Sequence, residues 1–113
     1  MQAIAAENNL SETAFCLTTA TGHALRWFTP RVEVPLCGHA TMATAWVVFE
    51  KTAHPRDSVT FDTKSGPLTV TRSGDRLSMG FPALATRPHA VPDPLVRALG
   101  AVPESCRQGD TDY

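Results

Sequence analysis

The run Ala40-Thr41-Met42-Ala43-Thr44-Ala45-Trp46-Val47-Val48-Phe49-Glu50 constrains the fold more than any other stretch of the chain. Wound into a helix, it is apolar around nearly its whole circumference, with only Thr41 and Thr44 as polar positions before Glu50. A helix resting on a protein surface shows a clear polar stripe. The run therefore predicts a helix over 40–50 that is buried on most sides and enclosed by sheet. Glu50-Lys51 marks its exit, and Thr52-Ala53-His54-Pro55 reads as the loop after it.

The segment that follows supplies the sheet. Residues 58–62, 68–72 and 76–81 alternate apolar and polar side chains, which is the pattern of half-buried antiparallel strands. Val59 and Phe61, then Leu68 and Val70, then Leu77, Met79 and Phe81 form the apolar face. Thr63-Lys64-Ser65-Gly66-Pro67 and Ser73-Gly74-Asp75 have the turn chemistry of hairpins. Upstream, residues 1–8 read as a short helix stopped at Asn8-Asn9, because Asn tolerates the left-handed cap position. Residues 10–19 and 24–29 read as two strands joined at Ala20-Thr21-Gly22-His23. In the first, Thr13, Phe15 and Leu17 share one face, and Glu12, Ala14, Cys16 and Thr18 the other. Beyond the meander, residues 82–92 read as a proline-containing connector and 92–100 as a short helix stopped by Gly100. Residues 102–113 show no pattern that marks a final element. The expected architecture is α+β: a curved, mainly antiparallel sheet wrapped around one buried central helix.

Val34-Pro35-Leu36-Cys37-Gly38-His39 leads into the buried helix. Gly38 permits a tight turn and close approach of a ligand. Free backbone N–H groups at the helix start can hold a carboxylate or a developing enolate. Cys37, Gly38 and His39 thus bring a thiol and an imidazole to an anion-favouring helix end; a buried thiol and a backbone-satisfying histidine are the plainer readings. Glu12 shares its strand face with Ala14 and Cys16. Turned inward it is a candidate proton carrier, and turned outward it is a solvated carboxylate. His23, His54 and His89 fall in turns or loops and read as surface residues.

The 113 residues suffice for one domain with a modest core. The net charge of −1 and the lack of long like-charged runs give no footprint for nucleic acid or an anionic membrane as partner. No apolar run has the length of a membrane span, and the N-terminus has no signal-peptide pattern. Cys16, Cys37 and Cys106 are an odd, scattered set, which fits reduced thiols in the cytoplasm. Cys-x-x-Cys and His-x-x-x-His pairs are absent, so no metal site is expected.

Three ordered blocks resemble the phenazine biosynthesis PhzF-like family. They are residues 1–15 with Asn9-Leu10-Ser11-Glu12-Thr13, then Leu25-Arg26-Trp27-Phe28-Thr29-Pro30 with Glu33-Val34, then Leu36-Cys37-Gly38-His39-Ala40-Thr41. The resemblance implies the fold shared with diaminopimelate epimerase, in which two similar lobes each curl a sheet around a central helix and the site lies between them. It implies an isomerase that shuttles a proton on a small carboxylate-bearing metabolite without metal, nucleotide or other cofactor. In the phenazine pathway enzyme that metabolite is a dihydro-hydroxyanthranilate. Glu12 stands at the family's catalytic carboxylate. Gly38 and His39 stand at its pocket-lining Gly-His, with Cys37 beside them. In the epimerase and racemase relatives a cysteine at the Cys37 position acts as acid or base. A Cys-based amino-acid epimerase or racemase is therefore an alternative, one that needs a second Cys-Gly turn, which Cys106 does not provide.

Against that family, residues 1–113 correspond to a single partial domain, the N-terminal lobe without its first strand and without the second lobe. The expectation is an incomplete site, with an inactive truncated product or association module as the alternative to an isomerase. Coding sequence on either side would discriminate the two. Family members are commonly dimers, so a homodimer is expected of a complete protein.

Overall fold

The computed structural model describes residues 1–52, 55–81, 83 and 85–109. These divide into two compact units, Met1–Phe81 and Pro82–Tyr113.

In the first unit the element order is α1 (Gln2–Asn8), β1 (Thr13–Thr19), β2 (Gly22–Phe28), β3 (Glu33–Val34), α2 (Gly38–Lys51), β4 (Ser58–Thr63), β5 (Gly66–Ser73) and β6 (Arg76–Met79). The strands form one six-stranded sheet in the order β1-β2-β4-β5-β6, with β3 paired to β2. All pairings are antiparallel except β2 with β4, which is parallel at His23 with Phe61 and Ala24 with Asp62. That junction follows from connectivity. α2 carries the chain back across the sheet between β3 and β4, as a parallel crossover requires. The hairpins turn where the sequence places them. Thr19 pairs with Gly22, Thr63 with Gly66 and Ser73 with Arg76. Gly74 takes φ +58°, a value that costs a glycine little and an L side chain more. Asn9 closes α1 in the left-handed conformation (φ 49°, ψ 37°), and its N–H donates to the carbonyl of Ala5.

The core lies between the inner sheet face and one side of α2. Leu25 and Trp27 of β2, Val59 and Phe61 of β4, and Leu68 and Val70 of β5 meet Ala40, Ala45, Val48 and Phe49 of the helix. The α+β architecture and the apolar face of the meander match the sequence reading as far as Met79; Phe81, expected on that face, lies beyond β6 and is 50% exposed. The burial of α2 does not match it. Trp46 is 53% exposed and Val47 47%, and Ala43 is also exposed. Within Met1–Phe81 the sheet covers one flank of the helix, so apolarity around the circumference did not translate into enclosure. Thr41, counted as polar, is fully buried. Its hydroxyl donates to the carbonyl of Cys37 at 2.6 Å, and Thr44 does the same to Ala40 at 2.7 Å. A threonine that bonds its own helix carries no unmet polar group inward.

In the second unit, β7 (Thr86–Pro88) pairs antiparallel with β8 (Arg107–Gly109), and α3 (Asp93–Leu99) lies between them in sequence. The strand at Arg107–Gly109 corrects the reading of 102–113 as lacking a final element. It is too short for alternation to show. Arg107 fixes it by donating from Nε to Thr86 Oγ1 at 2.8 Å and from Nη2 to the Thr86 carbonyl at 3.0 Å. Gly100 ends α3 at φ 67°, as expected of its stop residue.

Candidate active site

The approach to α2 is held from two sides. Glu33 of β3 accepts a bidentate pair from Arg26 of β2, with both N···O distances 2.8 Å. Lys64, in the β4–β5 turn, donates to the same carboxylate at 2.6 Å. These hydrogen bonds, Arg26 first and then Lys64, hold the Glu33 carboxyl at about 2. One residue on, Ser65 Oγ donates to the carbonyl of Pro35 at 2.7 Å. The segment 33–36 is therefore clamped, and Cys37 enters the helix at a fixed angle, with φ −149° and ψ 108°. Sequence reasoning did not single out Arg26, Glu33, Lys64 or Ser65. Arg26 and Glu33 stand inside the recognised blocks, but their pairing depends on the register of β2 with β3.

Glu12 reaches the same place from the other direction. It sits just before β1, where α1 and β1 are tied by Asn8 Nδ2 donating to Thr13 Oγ1 at 3.2 Å. Gln2 anchors α1 to the end of β2 through the carbonyl of Thr29 at 2.9 Å. Glu12 is on the inner side: its side chain is 21% exposed, and its Oε2 lies 3.2 Å from His39 Nε2. The other ring nitrogen, Nδ1, lies 3.7 Å from Cys37 Sγ. One donor atom each of Glu12, Cys37 and His39 falls within 4.8 Å of the others. Glu12 Oε2 is shielded from solvent and has no partner in hydrogen-bonding geometry among the described residues, so its contact with His39 is one of proximity.

Glu12 and His39 open onto a concavity of about 260 Å³, whose floor and wall include Ala14 of β1 and Ala43, Thr44 and Val47 of α2. Cys37 lies beneath it, 7% exposed. Burial pushes the Cys37 thiol up; the backbone N–H of Ala40 draws it the other way, and the Glu12 carboxylate adds to the rise. The helix end does favour a thiolate, as the sequence implied, but the surroundings outweigh it. Gly38 faces elsewhere: a Cβ there would stand 2.7 Å from Cζ of Phe81 and 3.7 Å from the Met79 methyl carbon. The structure thus brings Glu12, Cys37 and His39 together and sets Gly38 against Phe81.

Of the other histidines, His23 is half-buried rather than superficial, its ring 5.9 Å from that of Phe61. His89 is exposed, with Nδ1 2.6 Å from the carbonyl of Ala90. His54 lies outside the described residues. No helix among the described residues is long and apolar enough to cross a membrane. The three cysteines are free.

A mostly antiparallel sheet packed on a helix, with a carboxylate and an imidazole close to that helix's start, places the chain in the α+β class. Within that class, the family model described as phenazine biosynthesis-like protein matches residues 1–95, and the chain belongs to this family. An uncharacterized isomerase of Pseudomonas aeruginosa is 56% identical over 100 residues, which is 88% of this chain and 39% of that protein. A phenazine biosynthesis-like domain-containing protein of Homo sapiens is 41% identical over 97% of this chain and 43% of its own length. Among solved structures, a PhzF-family protein of Enterococcus faecalis superimposes with a TM-score of 0.84 at 41% identity, covering 92% of this chain and 40% of that one. The chain spans about 40% of the length of the relatives it matches.

Proposed function

We propose that the chain carries the Glu12 wall of a cofactor-independent isomerase site, with Glu12 as general acid/base on a small carboxylate-bearing metabolite. The observation that carries this reading is the approach of Glu12 Oε2 to His39 Nε2 at 3.2 Å on the rim of a concavity. A carboxylate that keeps a free lone pair, shielded from water and facing a hollow, is placed to take a proton from carbon and return it to a neighbouring carbon. His39 is then both a hydrogen-bonding group for the substrate and a partner for the carboxylate. The N–H groups at the start of α2 favour the substrate's carboxylate or an enolate formed during transfer. Cys37, held as a thiol beneath them, supports the pocket rather than acting as base, which weighs against the Cys-based epimerase. The free thiols support a reducing, cytoplasmic setting.

The test is solvent exchange. A panel of small unsaturated and amino-substituted carboxylates is incubated in D₂O with the chain and with any longer product of its reading frame, and deuterium at carbon is followed by NMR. The expected result is incorporation into at least one panel member. No incorporation with either protein, together with unchanged ligand binding in Glu12→Gln, would overturn the reading. A second reading, an inactive association module, draws on the exposed Trp46 and Val47 of α2. It predicts exchange in the longer product and none in the chain.

A further inference from the structure

We propose that the free edge of β1 pairs with the β1 of a second copy of this chain, antiparallel and about a two-fold axis at Cys16. β1 stands at one end of the sheet order, and among the described residues no strand lies on its outer side. A long unpaired edge presents a row of backbone donors and acceptors, and soluble proteins blunt such edges with charge, proline, a bulge or shortness. β1 has none of these. It runs for seven residues, Thr-Ala-Phe-Cys-Leu-Thr-Thr, without a charge, a proline or a glycine. Its register with β2 is continuous from Thr13 to Thr19. The opposite edge is blunted, since β6 is four residues long and begins at Arg76. A copy added at β1 therefore closes as a pair rather than growing into a fibre. The proposal rests on the association reading above, for which it names the surface and the partner; the proton chemistry of Glu12 does not enter.

A second copy fits because β1 is complementary to itself. Full overlap of two antiparallel copies sets Cys16 opposite its own counterpart, Phe15 opposite Leu17, Ala14 opposite Thr18 and Thr13 opposite Thr19. The β1–β2 hairpin closes at Thr19 and Gly22 through a two-residue turn. The backbone groups of Thr13, Phe15, Leu17 and Thr19 therefore bond β2, and those of Ala14, Cys16 and Thr18 point to the open edge. In the full-overlap register these outward residues form the hydrogen-bonded pairs. Phe15 and Leu17 meet in the closer, non-bonded pairs, once on each side of the axis. Leu17 is 67% exposed, and the Phe15 ring already rests edge-on against Phe28 at 5.5 Å. The two-fold axis stands normal to the sheet, so both copies keep the same face on the same side. Ala14 lies on the face that carries α2, where it lines the concavity with Ala43 and Val47. The open strand edge and the open flank of α2 are thus continuous, and one added copy brings cover to both.

The experiment is sedimentation equilibrium of the reduced chain. The expected result is a monomer–dimer equilibrium, with the backbone amides of Ala14, Cys16 and Thr18 exchanging more slowly with deuterium as concentration rises. Cys16 is exposed, so a longer side chain there leaves the monomer fold in place. Cys16→Lys and Cys16→Glu should each raise the dissociation constant by at least about tenfold, because like charges then face one another across the axis. An equimolar mixture of the two variants places opposite charges on the axis and should recover the dimer. Circular dichroism confirms the fold of each variant, and the amide readout on the parent needs no variant. A parent that stays monomeric at its highest soluble concentration overturns the proposal, as do edge amides that ignore concentration. A dimer unchanged by either variant also overturns it, moving association to another surface such as Trp46 and Val47 and leaving the association reading intact. Two folded variants whose mixture stays monomeric overturn the axis at Cys16.

Discussion

Gly38 and Phe81 are in contact across the start of α2: a Cβ added to the glycine would stand 2.7 Å from Cζ of the ring. Phe81 is 50% exposed, and the atom met is the far end of its side chain. Gly38→Ala should therefore push the ring aside rather than break the core. Overpacking costs about 1–3 kcal/mol where neighbours are fixed, whereas replacing a helical glycine by alanine returns up to about 1 kcal/mol. The expected net change in unfolding free energy is within about 1 kcal/mol of zero, smaller still in Gly38→Ala with Phe81→Ala. Urea unfolding of the two variants measures this, and a large loss in the single variant that the second change fails to relieve would show that the glycine is held by something else.

Glu33 gives the clearest pH signature. Its carboxyl is lowered from 4.5 to about 2, first by its hydrogen bond from Arg26 and then by that from Lys64. A depressed folded-state value means that the contribution is complete above 4.5 and is lost as pH falls through about 2. The parent should lose more stability across that window than Glu33→Gln, which has no charge to titrate. Carboxyl chemical shifts followed through the same window should show the Glu33 midpoint near the bottom of it, and a midpoint at the ordinary value would mean that the clamp on the approach to α2 does not persist in solution.

Cys37 should react slowly. Burial raises its thiol, and the charge of the Glu12 carboxylate raises it further. Removing that charge in Glu12→Gln stabilises the thiolate relative to the parent, so alkylation by iodoacetamide at mildly alkaline pH should speed up several-fold at Cys37 and remain unchanged at Cys16. Peptide mapping after timed quenching separates the thiols. Equal rates at Cys37 in parent and variant would put Glu12 too far from the sulfur for the arrangement described.

The parts of the fold set by local pattern were legible in the sequence. Val59, Phe61, Leu68 and Val70 alternate as an inner sheet face must, and they are buried; Asn9 and Gly100 stop their helices in the left-handed conformation. What depended on distant pairing was not. The parallel junction of β2 with β4 arises from the path of α2, and β8 is defined by its pairing with β7 about twenty residues upstream, with Arg107 bonded to Thr86. The side of α2 left open could not be read from composition, since Trp46 and Val48 look alike in sequence and differ only in what the sheet covers. For the site, the types at Glu12 and His39 were readable from their blocks. Their 3.2 Å approach needed the three-dimensional arrangement. The clamp of Arg26, Lys64 and Ser65 on the entry to α2 was invisible for the same reason.

The most direct test of Glu12 as the proton carrier compares Glu12→Gln with Cys37→Ala in the D₂O exchange assay, on whichever panel carboxylate the parent labels. The account predicts that Glu12→Gln lowers deuterium incorporation by roughly 10²–10⁴-fold, with the fold retained by circular dichroism, while Cys37→Ala keeps exchange within about tenfold of the parent, as expected of a group that supports the pocket without moving the proton. Exchange that survives in Glu12→Gln and vanishes in Cys37→Ala would contradict it and move the chemistry to the thiol.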